Sequence, residues 1–256
     1  MTCPDHRAKR STTSVGIIQP GNRHRNPIVQ RKTRYLGIQE ALLAITALLC
    51  ISLSHASTVL VDRESEFLQI ADAVDNSLAR MGIDHIDLYQ THWPERNANY
   101  FGKLGYTHDP ADTDWTPIDE VVRGMEDVIQ AGKVRAFGLS NETPWGVMKH
   151  LEAAGDGSAR VVTIQNPYNL LNRTFEVGLA EVAIRENVGL FAYSPLGFGA
   201  LTGKYLDGLA PTNSRLDLFP DFLRHFKPRG VEATRRYVDL ARRYDLDPAV
   251  MAIAFV

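Results

Sequence analysis

The chain has 256 residues, of which 44% are hydrophobic and 23% are charged, a balance typical of a globular protein with one large domain or two small ones. Its formal net charge of -2 provides no general attraction for nucleic acid. Both cysteines, Cys3 and Cys50, precede residue 57. A disulfide or a thiolate metal site is therefore not expected in the rest of the chain, which suits a reducing, cytoplasmic compartment.

Residues 1–62 differ in composition from the rest of the chain. The first 34 residues are basic and lack apolar periodicity, which predicts a disordered arm without the folded face that nucleic-acid binding needs. The apolar run Ala41–Leu53 is shorter than the roughly 20 residues of a membrane span, so we do not expect a membrane protein. With Ser54–Ala56 behind it, the run resembles a secretory signal, although its long basic lead-in is atypical. A buried helix, or sequence foreign to the domain, is the alternative.

Helix and strand patterns alternate from Arg63 onward. Apolar residues at three- and four-residue steps predict a helix over Arg63–Met81, and alternating residues predict a strand over Ile83–Thr91. Thr116 and Pro117 have the residue types of an N-cap and a first helical position. The same criteria predict the strands Lys133–Asn141, Arg160–Tyr168 and Val188–Leu196, and helices from Thr143-Pro144, over Phe175–Glu186 and Val231–Tyr244, and from Pro248 with Asp247 as cap.

The predicted strands end in polar or ring-bearing residues. Strands that alternate with helices predict a parallel sheet, which needs helices to cover its faces. In a barrel, the C-terminal ends of all strands open on one face, where the active site lies, and this favours a barrel over a doubly wound sheet. The glycine-rich stretch from Gly197 lacks the third glycine of a dinucleotide fingerprint, and the histidines lack metal-ligand spacing, so no metal is expected. The strand-end residues are His92, Ser140, Asn141, Gln165, Asn166, Tyr193 and Ser194.

Four strings in this order resemble the aldo-keto reductases: DNSLARMGIDHIDLYQTHWP, GKVRAFGLSNE, TIQNPYNLLNR and AYSPLGFGALTGKY. The strings RNANYFGKLGY and NLLNRTFEVGLAEVA are similar to the bacterial NADP(H)-dependent Tas group of that family. The resemblance covers Arg63–Val256 and implies an α/β fold of the (β/α)8 TIM-barrel family. Residues 1–62 form a separate, non-matching segment.

The resemblance also implies a cofactor, a reaction and a set of site residues. The cofactor is NADP(H), and hydride passes between its nicotinamide ring and the carbonyl carbon of a small aldehyde or ketone. His92 corresponds to the histidine that orients the carbonyl, and Tyr193 to the aromatic residue that stacks on the nicotinamide. The carboxamide is held by Ser140, Asn141 and Gln165, and the pyrophosphate is wrapped by the segment that includes Ser194, Leu196, Gly199 and Lys204.

Each of these residues also has a structural interpretation. A histidine at a strand end is more often structural than catalytic, and two nearby glycines by themselves indicate only a turn. The order of the four strings favours the functional interpretation. The loop Asn97–Trp115 contains Tyr100, Phe101, Tyr106 and Trp115, which could wall an apolar substrate pocket. Neither the carbonyl substrate nor the oligomeric state follows from the sequence.

The family's tyrosine proton donor, with the lysine and aspartate that tune it, precedes the histidine strand, and residues 1–62 contain no matching context for them. The last strand and the segment that grips the adenosine 2′-phosphate are not recognised either. We therefore expect an incomplete barrel with impaired catalysis, since a missing general acid lowers the rate by roughly 10²–10⁴. A cofactor-binding regulatory subunit and a non-functional fragment are the alternatives.

Overall fold

The structure is a computed structural model that describes residues 57–59, 66–101, 103–206, 208 and 210–256, with backbone alone for 57–59 and 66–68. The predicted basic arm and the interpretations of Ala41–Leu53 lie outside these residues. The strands are β1 (Ser57–Val59), β2 (Ile86–Thr91), β3 (Val134–Ser140), β4 (Val161–Pro167) and β5 (Gly189–Tyr193). The α-helices are α1 (Glu66–Met81), α2 (Ile118–Gln130), α3 (Pro144–Ala154), α4 (Leu179–Arg185), α5 (Arg215–Leu218), α6 (Pro228–Arg243) and α7 (Pro248–Ala254), and 3-10 turns span Thr174–Val177 and Ala200–Thr202.

The strands form one parallel sheet in the order β1-β2-β3-β4-β5. The four predicted strands and their parallel direction are confirmed. Strand β1 was missed, because three residues are too few to show a periodic pattern and only pairing with β2 identifies them as a strand. Within the described part of the chain the sheet is open, with β1 and β5 at its edges.

The hydrophobic core lies between the sheet and the helices that follow its strands. The predicted apolar stripe of α1 is confirmed for Ile70, Val74 and Leu78, which are buried in the core, whereas Met81 at the end of the stripe is 40% exposed. Helix α2 contributes another buried stripe, which includes Met125 and Val128. Because all the strands are parallel, their C-terminal ends lie at one edge of this layer.

Two predicted helix starts are confirmed. The Thr143 side chain accepts a hydrogen bond from the Gly146 amide at 3.2 Å, and Pro144 takes the first position of α3. The Asp247 carboxylate accepts hydrogen bonds from two amides in the first turn of α7. Both residues satisfy amides that a helix leaves unpaired at its start.

Two helix predictions were wrong in detail. Thr116 does not cap α2, which begins at Ile118, because its amide and hydroxyl both donate to the Glu95 carboxylate, at 2.7 and 2.5 Å. The predicted helix over Phe175–Glu186 is divided at Gly178, whose φ of -159° lies outside the helical range. In both cases a tertiary contact or a single backbone angle overrides a local pattern.

Candidate active site

His92 follows β2 directly, at the C-terminal edge of the sheet. Its ring is half-buried and packs on Trp93, with the ring centres 4.2 Å apart. Burial lowers the pKa of the imidazole, which favours its neutral form near pH 7. The Nδ1 atom is buried and has no hydrogen-bond partner among the described residues. A buried, unpaired ring nitrogen is unfavourable by itself and indicates a position where a further polar group can bind.

Asn141 connects the ends of three strands. Its side-chain amide donates to the His92 carbonyl at 2.8 Å and accepts from the Tyr193 hydroxyl at 2.6 Å. Its backbone amide donates to the Gln165 carbonyl at 3.0 Å. The residue adopts φ +55°, a left-handed conformation that asparagine tolerates better than most residues. The structure therefore brings three other predicted site residues, His92, Gln165 and Tyr193, into contact with Asn141.

Ser140 and Asn141 already bond to protein groups. The Ser140 hydroxyl donates to the Gln165 carbonyl at 2.8 Å and accepts from the Asn141 side-chain amide at 3.1 Å. Both hydrogens of that amide are therefore in use, the other on the His92 carbonyl. A carboxamide bound by this pair must replace one of these bonds or use a remaining acceptor. The half-buried Gln165 side chain has no hydrogen bond to another described residue.

Tyr193 ends β5, and its half-buried phenol faces the same edge of the sheet. Burial raises the pKa of this phenol, and the positive charge of Arg224 acts in the opposite direction. Arg224 also donates a hydrogen bond to the carbonyl of Phe101. The site is thus bordered by the loop after β2 on one side and by the segment before α6 on the other.

The segment after β5 is a series of tight turns. Ser194, Gly197, Phe198 and Gly199 all have positive φ, and the Ser194 carbonyl accepts a bond from Asn169 at 2.9 Å. A Cβ atom at Gly199 would lie 3.1 Å from Cε of Lys204, so the absence of a side chain allows this lysine to lie against the turn. The Leu196 carbonyl accepts from the amides of residues 199 and 201. The structure therefore brings together Gly199 and Lys204, two of the predicted site residues.

Sequence reasoning missed a buried ion pair beside this site. Arg96 and Glu142 form two hydrogen bonds, at 3.0 and 2.5 Å, with side chains that are 11% and 3% exposed. They adjoin a cavity of about 100 Å³ that is also lined by His92 and His150. The sequence shows only a charged residue after each strand, and nothing local connects residues 46 positions apart. Asn169 and Arg224 were missed for the same reason.

The sequence pattern of the Aldo/keto reductase family matches residues 55–256. The chain belongs to the aldo-keto reductase family. Protein Tas of Escherichia coli K12 is 46% identical over 224 residues, which cover 86% of this chain and 64% of Tas. An aldo-keto reductase of Babesia bovis is 36% identical over 197 residues, which cover 72% of this chain and 69% of that protein. The resemblance found in the sequence strings is confirmed.

The structure is similar to that of a glycerol dehydrogenase from Gluconobacter oxydans, with a TM-score of 0.56 and 31% sequence identity over 77% of this chain and 53% of that chain. Together with the family match, this likeness confirms the predicted barrel fold family. The described residues form an open, five-stranded part of that aldo-keto reductase architecture. Among them, no helix combines the length and apolar character needed to cross a bilayer.

Proposed function

We propose that this chain is an oxidoreductase domain that binds NADP(H) and transfers hydride between the nicotinamide and the carbonyl carbon of a small aldehyde or ketone. The observation that carries the proposal is the hydrogen-bonded connection of His92, Asn141, Gln165 and Tyr193 at one edge of the sheet. These bonds hold the Asn141 amide and the Tyr193 phenol directly, and they fix the backbone of His92, whose ring packs on Trp93. Hydride transfer depends on such fixed placement, because the donor and acceptor carbons must be held at near-attack distance.

The residues fit the cofactor by their chemistry. The side chain of Lys204 lies against the glycine turn at Gly199, and its positive charge can offset that of a phosphate bound at this turn. Tyr193 offers a half-buried ring against which a flat heterocycle can stack. When bound, NADPH supplies the hydride. The half-buried, neutral imidazole of His92 can donate one N–H to a carbonyl oxygen and so orient it.

Turnover by the 256-residue chain is proposed to be low. In the sequence, no tyrosine, lysine and aspartate could be assigned to the family's proton-donating set. The loss of a general acid lowers the rate by roughly 10²–10⁴, while cofactor binding can persist. We place this activity in the residues that match the family, 55–256, in a cytoplasmic protein. The carbonyl substrate is proposed to be a small molecule bound beside Trp93 and Phe101, whose rings lie 5.6 Å apart.

The proposal is tested by fluorescence titration of the full chain with NADPH and with NADH. We expect saturable binding that favours NADPH. Tyr193→Ala should weaken the binding about tenfold through the loss of a stacking surface, whereas Tyr193→Phe should keep most of it. Tyr244→Ala is the matched control, because Tyr244 is 68% exposed at the end of α6.

Turnover is then measured as the loss of NADPH absorbance with an aromatic aldehyde. Slow but saturable turnover agrees with the proposal, and a rate like that of a complete reductase contradicts the expected impairment. Binding without any turnover favours the regulatory alternative. An absence of NADPH binding refutes the proposed function.

A further inference from the structure

Arg96 and Glu142 are an unusual ion pair for this protein. In every other ion pair among the described residues, at least one side chain is more than one third exposed, whereas both members of this pair are mostly buried. A buried pair contributes little to stability, because desolvation offsets much of the attraction. Because stability alone does not account for the pair, its position beside the candidate site indicates a second role.

The pair makes a second connection between two segments that Asn141 already joins. The Asn141 side chain holds the His92 carbonyl, and the following residue, Glu142, binds Arg96, four residues after His92. A single hydrogen bond leaves the joined segments free to rotate, while a two-bond arginine–carboxylate fork fixes their direction. The two connections together determine how the segment after β2 lies against the turn after β3.

Several further contacts hold the pair in its orientation. Arg96 also donates to the Thr143 hydroxyl at 3.1 Å, and its guanidinium lies 4.8 Å from the centre of the Trp145 ring. The Glu142 carbonyl accepts a hydrogen bond from Asn166 at 3.1 Å. A Cβ atom at Gly146 would come well under 3.0 Å from both members of the pair, so a glycine is needed at that position. These contacts restrict the pair on the sides away from the cavity that it adjoins.

We propose that Arg96 and Glu142 are positioning residues, which hold Asn141 in its left-handed conformation and fix it relative to His92 for nicotinamide binding. Asn141 has φ +55°, and a backbone in this region persists only where its surroundings hold it. Glu142 is its direct neighbour and is fixed at both its side chain and its carbonyl. The part of this inference that concerns the cofactor rests on the proposed function, and the part that concerns Asn141 does not.

The test compares two variants of the pair, Arg96→Lys and Glu142→Gln, with two controls. Arg96→Lys keeps the charge and removes the fork. Arg135→Lys is the matched control, because Arg135 pairs with Asp87 at the opposite end of the same two strands and is 63% exposed. Met125→Ala is the control for general destabilisation, because Met125 is a buried residue of α2 that packs in the hydrophobic core, outside the site.

The first measurement is amide hydrogen exchange by NMR on the unliganded full chain. The measured quantity is the exchange rate of the Asn141 amide, which bonds to the Gln165 carbonyl, divided by the rate of amides in the middle of β3. We expect this ratio to be about tenfold higher in both pair variants than in the wild type. Arg135→Lys should leave the ratio unchanged, and Met125→Ala should accelerate both sets equally. An unchanged ratio in the pair variants overturns the proposal.

The second measurement is the NADPH dissociation constant of the same variants. Both pair variants should bind about tenfold more weakly, the effect of one misdirected hydrogen bond, and both controls should bind as the wild type does. Faster exchange at Asn141 with unchanged affinity overturns the role in cofactor binding. If the wild type does not bind NADPH, the proposed function fails, while the exchange measurement still decides whether the pair positions Asn141.

Discussion

Gly146 lies in the first turn of α3, against the buried pair of Arg96 and Glu142. Helix propensity alone predicts that Gly146→Ala stabilises the protein by up to about 1 kcal/mol. The structure predicts the opposite, because the added Cβ atom would come well under 3.0 Å from the Glu142 carboxylate and the Arg96 guanidinium. These groups are fixed by hydrogen bonds to each other and cannot move apart without breaking them.

The size of the effect follows from two contributions. Overpacking a filled site costs about 1–3 kcal/mol, and separating a buried pair costs about 3–5 kcal/mol. The protein can relieve part of the overpacking by partly separating the ion pair, so the two costs do not add in full. The higher helix propensity of alanine offsets some of the remaining loss. We therefore expect a net loss of about 3 kcal/mol, or about 6–12 °C in Tm for a chain of this size.

The assay is urea denaturation of wild type, Gly146→Ala and the matched variant Gly124→Ala. Gly124 is also within a helix, but a Cβ atom there would crowd a single group, the terminal methyl of Ile70 at 2.9 Å, and that methyl can turn aside. Gly124→Ala should change the stability by less than about 1 kcal/mol, because propensity and crowding oppose each other. Equal effects of the two substitutions, or a more stable Gly146→Ala, would refute the reasoning.

Three further predictions concern stability. Met125→Ala should destabilise the protein by about 2–5 kcal/mol in urea denaturation, because Met125 is 1% exposed in the core. A smaller loss would mean that neighbouring side chains move in to fill the cavity. Asp247→Ala should lower the free energy of unfolding by about 1 kcal/mol, because two amides in α7 lose their acceptor. Asp247→Asn should keep most of that stabilisation, because its side-chain oxygen can still accept these hydrogen bonds. Burial lowers the pKa of His92, His150 and His225, so the unfolded chain binds more protons below the ordinary value of 6.5. The contribution of these histidines to stability should therefore be fully present above about pH 6.5 and should be lost as the pH falls through their lowered pKa values. The measurement is Tm as a function of pH, and a Tm that does not change over this range would contradict the prediction.

The hydrogen bonds of Asn141 show that the strand-end positions of the candidate site residues could be predicted but their arrangement could not. The strand-end positions of His92, Asn141 and Tyr193 follow from the alternating pattern and from the parallel direction of the strands. Their mutual bonds join residues 49 and 52 positions apart, and no local pattern specifies which donor meets which acceptor. The assigned roles in cofactor and substrate binding stay predictions.

Two helix caps and the apolar period of α1 were determined by the sequence alone. Asp247 and Thr143 cap their helices because the acceptor and the amides that it satisfies are within three residues of each other. The apolar stripe of α1 likewise depends only on the helical period. Where every interacting group belongs to one short segment, the sequence is sufficient.

Tertiary structure decided the features that depend on distant partners. Thr116 has the residue type of a cap, yet the Glu95 carboxylate, 21 residues earlier, takes its hydroxyl. Strand β1 exists through its pairing with β2, and the Arg96–Glu142 pair exists because two strand ends are neighbours in the sheet. Burial of a charged side chain is tolerated only where an oppositely charged partner lies beside it. The fold as a whole brings Arg96 and Glu142 together, and neither segment does so by itself.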